Sequence, residues 1–189
     1  MIKAIVFDLG GVILKHKPTL IGEILSQMFP ISEEEGNSIF LQNRVQLLKG
    51  ELSSRQFLEQ LKDKFKVDRT TDELSKLWIA LYIKSAEIDY ELLDFIEKLK
   101  AKYKVYLLTD TIDVHDEFNK GRGIYDKFTQ AFKSFEEKMA KADGQAFYIH
   151  VLDKIDTKPE ECVFIDDLDE QIKTAESLGA KGIVFKNIF

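Results

Sequence analysis

Three apolar runs in this chain each end in carboxylates. Ile5-Val6-Phe7 leads into Asp8 and then Leu9-Gly10-Gly11; Val105-Tyr106-Leu107-Leu108 leads into Thr109-Asp110-Thr111; Val163-Phe164-Ile165 leads into Asp166-Asp167. If these runs are parallel strands of one sheet, their carboxyl ends share an edge, where open α/β sheets place their chemistry. Acids gathered there without a cation among them repel one another and raise their own pKa values. A hard divalent ion with oxygen ligands, Mg2+ above all, relieves that repulsion. The alternative is that the acids only cap the helices that follow, a reading that suits Asp169 at the start of a helical pattern. Glycines after Asp8 let the backbone turn sharply and approach a ligand. A second carboxylate two residues after Asp8 is missing, because Gly10 stands there.

The elements that must position these groups follow from periodicity. Residues 3–8 read as a buried strand, rich in isoleucine and valine. From about residue 17 to 84 the pattern is helical: Leu20, Ile21, Ile24, Leu25 and Met28 share one face, and Pro30 stops that helix. Ser32 with Glu35, Ser53 with Gln56 and Thr70 with Glu73 have capping-box spacing at helix starts. α/β alternation then returns, with helices near 92–99, 114–120, 146–155 and 172–178. Strands are expected at 105–108, 129–132, 162–165 and 181–185. Alternation of this kind implies a parallel sheet with helices on both faces. The expected architecture is therefore a Rossmann-like, doubly wound α/β core, residues 1–16 and 85–189, interrupted by a helical cap at 17–84. The crossings near 14–18 and 83–88 would act as hinges.

Composition narrows the function classes. The 189 residues are 44% hydrophobic and 32% charged, with a formal charge of -6. That acidic balance argues against a nucleic-acid surface and does not suggest anionic lipid. The one cysteine, Cys162, forms no intramolecular disulfide, which fits a reducing cytoplasm. No signal pattern opens the sequence and no apolar run is long enough to span a membrane. His16, His115 and His150 are scattered, without metal-binding spacing.

Taken together, the motifs resemble the haloacid dehalogenase superfamily, whose commonest members are Mg2+-dependent phosphatases. Four segments carry the resemblance in order: Phe7-Asp8-Leu9-Gly10-Gly11-Val12; Val105 to Thr109; Ser134 followed by Lys141; and Val163 to Asp167. Downstream, Ala175, Leu178-Gly179-Ala180 and Gly182-Ile183 are similar to the family's closing segment, and residues 17–84 to its cap inserted after the first motif. The resemblance implies that Asp8 attacks phosphorus and forms an aspartyl phosphate. It implies that Asp8, Asp167 and the main-chain carbonyl of Gly10 hold Mg2+, with Asp166 behind them. Thr109, the amide of Asp110 and Lys141 would bind the phosphoryl group of a small phosphorylated substrate, with Lys141 neutralising charge in the transition state. Lys138 competes with Lys141 for that role.

The chain departs from the family pattern at four positions. Gly10 replaces the aspartate that protonates the leaving oxygen, help worth roughly a hundredfold to ten-thousandfold. Asp110 stands where Asn is common, Ala142 where Pro is usual, and Gln171 where Asn is often found. Without an acid at position 10, either the leaving group departs unprotonated or another acid, such as Asp110 or Asp113, serves. Two other enzyme readings compete. Carbon–halogen cleavage needs an aromatic group near position 10 and an arginine, with Arg44 and Arg55 available. Carbon–phosphorus cleavage needs an imine-forming lysine, with Lys15, Lys17 and Lys49 available. A non-catalytic binding protein is the rival from another class. Oligomeric state leaves no trace in the sequence.

Overall fold

Why the three acidic run-ends meet is visible in the computed structural model, which describes residues 1–17 and 19–186. The chain begins with β1 (Ala4–Phe7) and a two-residue strand β2 (Leu14–Lys15). Four helices follow: α1 (Leu20–Met28), α2 (Glu33–Leu48), α3 (Ser54–Phe65) and α4 (Thr71–Ser85). A second two-residue strand, β3 (Glu87–Ile88), precedes α5 (Tyr90–Leu99), β4 (Lys104–Thr109) and α6 (Asp113–Gly121). Then come β5 (Gln130–Lys133), α7 (Ser134–Glu137), α8 (Gln145–Lys154), β6 (Cys162–Asp166), α9 (Asp169–Ser177) and β7 (Lys181–Val184).

The five longer strands form one parallel sheet in the order β5-β4-β1-β6-β7. β1 lies in its centre, so Asp8 leaves the sheet between the ends of β4 and β6. Side chains alternate along each strand. Ile5, Phe7, Val105 and Leu107 face a cluster shared with Leu93 and Ile96 of α5 and Val114 and Phe118 of α6. Ala4, Val6, Tyr106, Leu108 and Phe132 face the other way, against Phe147, Tyr148 and Val151 of α8 and Ile172 and Ala175 of α9. This is the doubly wound, Rossmann-like α/β sheet that the alternation implies.

Helices α1–α4 occupy the interval between β2 and β3, which pair antiparallel with Leu14 opposite Ile88 and Lys15 opposite Glu87. The main chain therefore leaves the core and returns to it through one ribbon, a pairing that periodicity did not show. Leu25, Phe57, Leu58, Leu74 and Trp78 pack these helices together, and their cluster is continuous with the α5/α6 face of the sheet. The expected starts of α3 and α4 are full capping boxes, Ser53 with Gln56 and Thr70 with Glu73, whereas Ser32 only accepts from the amide of Glu35. Asp169 does not cap α9: Leu168 takes the cap position, and Asp169 sits in the first turn, paired with Lys173. Pro18 and residues 187–189, which belong to the expected cap and core segments, lie outside the described residues.

Candidate active site

Asp8 follows β1 directly, with its amide donating to the carbonyl of Ile165 at the end of β6 (2.8 Å). Lys141 enters from a short 3-10 turn, Lys141–Asp143. Its Nζ lies 2.6 Å from Asp8 Oδ1 and 2.7 Å from Asp166 Oδ2, and all three side chains are buried. Asp166 is fixed further by the amide of Leu168, which donates to its Oδ1 at 2.9 Å. Lys138 goes elsewhere: its ammonium is exposed and donates to the carbonyl of Gly50. Of the two candidate lysines, only Lys141 reaches Asp8.

Thr109 ends β4 and is buried beside this cluster. Asp110, one residue on, uses its carboxylate to accept the amide of Lys141 (Oδ1, 2.9 Å). The carboxylate so engaged tethers the lysine's backbone, a function that only needs an acceptor at this atom. The next residue, Thr111, is held by Ser134, whose Oγ accepts from its amide and donates to its carbonyl, both at 2.9 Å. Strands β4 and β5 are thus stitched together where the two middle motifs meet. Gln171 accepts from Tyr148 Oη at 2.7 Å on the far side of Asp166.

Asp8, Asp166 and Asp167 each offer a carboxylate oxygen within 4.8 Å of the others. The Lys141 ammonium pairs with two of these three carboxylates, those of Asp8 and Asp166. Burial, and then the neighbouring Asp166, push Asp8 and Asp167 up from the ordinary carboxylate range, while Lys141 pulls both down. Burial also raises Asp110. The oxygen donors and their excess of negative charge fit a hard divalent cation. Gly11 makes room for this arrangement. It has a φ of +74°, and a Cβ on it would stand 2.0 Å from Asp167 Oδ2. Gly10 is different: its nearest neighbours to a Cβ would be His16 Nε2 at 3.8 Å and Asp8 Oδ2 at 3.9 Å.

Above Gly10, Thr109 and Asp110 opens a cavity of about 440 Å³. Its other walls come from the helical insertion, notably Leu20, Phe40, Leu41 and Arg44, and from α6. Two of the three histidines that look scattered in the sequence meet here, His16 and His115. His115 stacks on Tyr82 with ring centroids 3.9 Å apart and accepts from Trp78 Nε1 at 3.0 Å. Burial, and secondarily His16, push its pKa down to about 3. No sequence signal singled out His16 or His115, because residues from β2, α2 and α6 meet only in the fold. Asp113, a conceivable acid, turns away from the cavity and accepts the amides of Ser54 and Val114.

Known proteins share this organisation. A profile of haloacid dehalogenase-like hydrolases matches residues 2–179. The chain is 27% identical to D-ribitol-5-phosphate phosphatase of Bacteroides thetaiotaomicron over 188 residues, 95% of this chain and 89% of that protein. A sesquiterpene phosphatase of Aspergillus oryzae is 33% identical over 98 residues, about half of each chain. Among solved structures, a haloacid dehalogenase family enzyme from B. thetaiotaomicron, in complex with magnesium and inorganic phosphate, superimposes with a TM-score of 0.84 at 27% identity. That match covers 98% of this chain and 95% of the other. A family hydrolase from Porphyromonas gingivalis gives a TM-score of 0.72 at 25% identity, over 97% and 90%. With the ordered motifs on adjacent strand ends and a family match across nearly its whole length, this chain belongs to the haloacid dehalogenase-like hydrolases.

Proposed function

We propose that this hydrolase is a Mg2+-dependent phosphatase acting on a small phosphorylated metabolite through an aspartyl phosphate on Asp8. The observation that carries the reading is the buried contact of Lys141 with Asp8 beside the end of β4. A carboxylate so placed is a nucleophile with a fixed cation at the point where charge develops on the phosphoryl group. Asp8, Asp167 and the carbonyl of Gly10 would hold the metal, with Asp166 behind them, and the ion when bound supplies positive charge to the phosphoryl oxygens. The Thr109 hydroxyl and the Asp110 amide hold those oxygens, and an Asp8 oxygen attacks phosphorus as the ester oxygen departs. Lys141 keeps Asp8 oriented and neutralises charge throughout. Residues 17–84 act as a cap that admits substrate and then excludes water. The phosphatase activity of the ribitol-phosphate relative, and the magnesium and phosphate held by its structural neighbours, support this reading.

The carbon–phosphorus alternative loses support from ion pairing. Lys15 pairs with Asp89 (3.1 Å), Lys17 with Glu23 (3.3 Å) and Lys49 with Asp143 (2.7 Å), and none of the three lines the cavity beside Gly10. Gly10 and Asp110 are the features that favour a binding protein, and the Asp110 carboxylate has a structural task in accepting the Lys141 amide. A screen of phosphate esters with Mg2+, run on the parent and on Asp8→Asn, tests the proposal. The parent is expected to turn over at least one ester class, and the variant to fall below about a thousandth of that rate. Activity largely retained in Asp8→Asn would overturn the mechanism.

A further inference from the structure

We propose that His16 supplies the acid–base catalysis that Gly10 cannot, exchanging a proton between its Nε2 and the leaving oxygen. The proposal rests on the phosphatase reading. Its basis is position: His16 Nε2 stands 3.8 Å from the site a Cβ on residue 10 would take, and Asp8 Oδ2 stands 3.9 Å from that same site. The imidazole thus borders the space that an acidic side chain at residue 10 would enter, on the cavity side of the nucleophile. His16 lines the same cavity as Gly10, Thr109 and Asp110. It lies just after β2, so the β2–β3 ribbon sets its place relative to the sheet.

The ring's orientation also suits the task. Nδ1 lies 3.0 Å from the main-chain carbonyl of Lys17. A carbonyl only accepts, so Nδ1 carries the hydrogen and Nε2 is left to gain and lose a proton toward the cavity. The other acid–base groups around the cavity have partners of their own. Asp110 Oδ1 accepts the Lys141 amide, Asp113 accepts two amides outside the cavity, His115 Nε2 accepts from Trp78, and the Tyr82 ring is stacked on His115.

The protons balance over two half-reactions. In the first, an Asp8 oxygen bonds to phosphorus and the bond from phosphorus to the ester oxygen breaks. Its electron pair stays on that oxygen, which takes the Nε2 proton and leaves as an alcohol. In the second, a water oxygen attacks phosphorus and one water proton passes to Nε2. The bond from phosphorus to Asp8 breaks with its pair returning to the carboxylate, so inorganic phosphate leaves and the imidazolium is restored.

The test is kcat/KM for a leaving-group series, from p-nitrophenyl phosphate to simple alkyl phosphates, on the parent and on His16→Gln. This ratio reports the steps up to departure of the leaving group. His16 is exposed, and the variant's fold is checked by circular dichroism. The expected result is a loss of about a hundredfold on alkyl phosphates and about threefold or less on p-nitrophenyl phosphate, which needs no proton. An equal loss across the series, or no loss on alkyl phosphates, would overturn the assignment while leaving the phosphatase reading intact. A parent that hydrolyses no ester overturns both.

Discussion

Around Asp8 the molecule is closely built: Lys141 lies 2.6 Å from it and 2.7 Å from Asp166, all three buried, and the lysine's backbone is tied to Asp110. On the other side of Gly10 the wall is an exposed histidine oriented by the carbonyl of its own neighbour, under a cavity of about 440 Å³. Under the proposed mechanism, phosphorus transfer falls to groups at three adjacent strand ends and to Lys141, and the departing alcohol to groups on the β2 junction and the helical insertion. The difference teaches where variation would be tolerated: one half is tied into the sheet, while the other could exchange its walls without disturbing it.

That contrast can be broken first at Lys141. Lys141→Met leaves two buried carboxylates without their cation and is expected to cost about 3–5 kcal/mol in urea unfolding without Mg2+. Lys138→Met, three residues away on the surface, should stay within about 0.5 kcal/mol. Equal effects would show that the buried contact is not what orders the site. The two adjacent glycines sharpen the same line. Gly11→Ala forces a Cβ into positive φ and against Asp167, so a loss of about 1–2 kcal/mol is expected. Calorimetry should also show Mg2+ affinity falling by about tenfold or more as Asp167 is displaced. Gly10→Ala meets only ordinary van der Waals contacts, at 3.8 Å and 3.9 Å, and should leave both quantities nearly unchanged.

The smallest effect separates the two cavity histidines. His115 has a folded pKa of about 3 against an ordinary 6.5, so the unfolded chain binds one more proton between those values. Its contribution to stability is present above pH 6.5 and is lost as pH falls toward 3, at about 1.4 kcal/mol per pH unit within the window. His115→Gln should flatten that part of the stability–pH curve, measured by urea unfolding at pH 5.5 and 7.5. An unchanged slope in the variant would mean that the imidazole already exchanges protons freely in the fold.

The legible half of the molecule is the half made of strands. An apolar run ending in an acid states both an element and the position of a side chain at its end, so Asp8, Thr109 and Asp166-Asp167 could be placed on one edge before any fold was known. Lys141 is reachable only through the family resemblance, which sets a lysine after a serine such as Ser134 and leaves Lys138 in competition. What could not be read is what depends on contacts between distant segments. His16 comes back beside Gly10 through the turn at residues 9–14, where the Gly11 amide donates to the Leu14 carbonyl at 2.8 Å, and a turn of this kind leaves no periodicity to read. Asp110 stands where Asn is common, and its tie to the Lys141 amide is a matter of loop geometry that the sequence does not show. Asp169 was placed one position off because the preceding Leu168 takes the helix cap without a side-chain bond.

The β2–β3 ribbon has a consequence for how such a chain can lengthen or shorten. Leu14 and Ile88 are paired neighbours, and the amide of Asp89 donates to the carbonyl of Ile13 at 2.9 Å. A segment whose two ends meet side by side leaves the sheet's register untouched whatever its length, as tolerated insertions generally do. At the level of the gene, this junction is a place where whole coding blocks can be spliced in or traded with the reading of every strand preserved. New cavity walls can then be acquired by recombination, with the strand ends that carry Asp8, Thr109 and Asp166-Asp167 inherited intact.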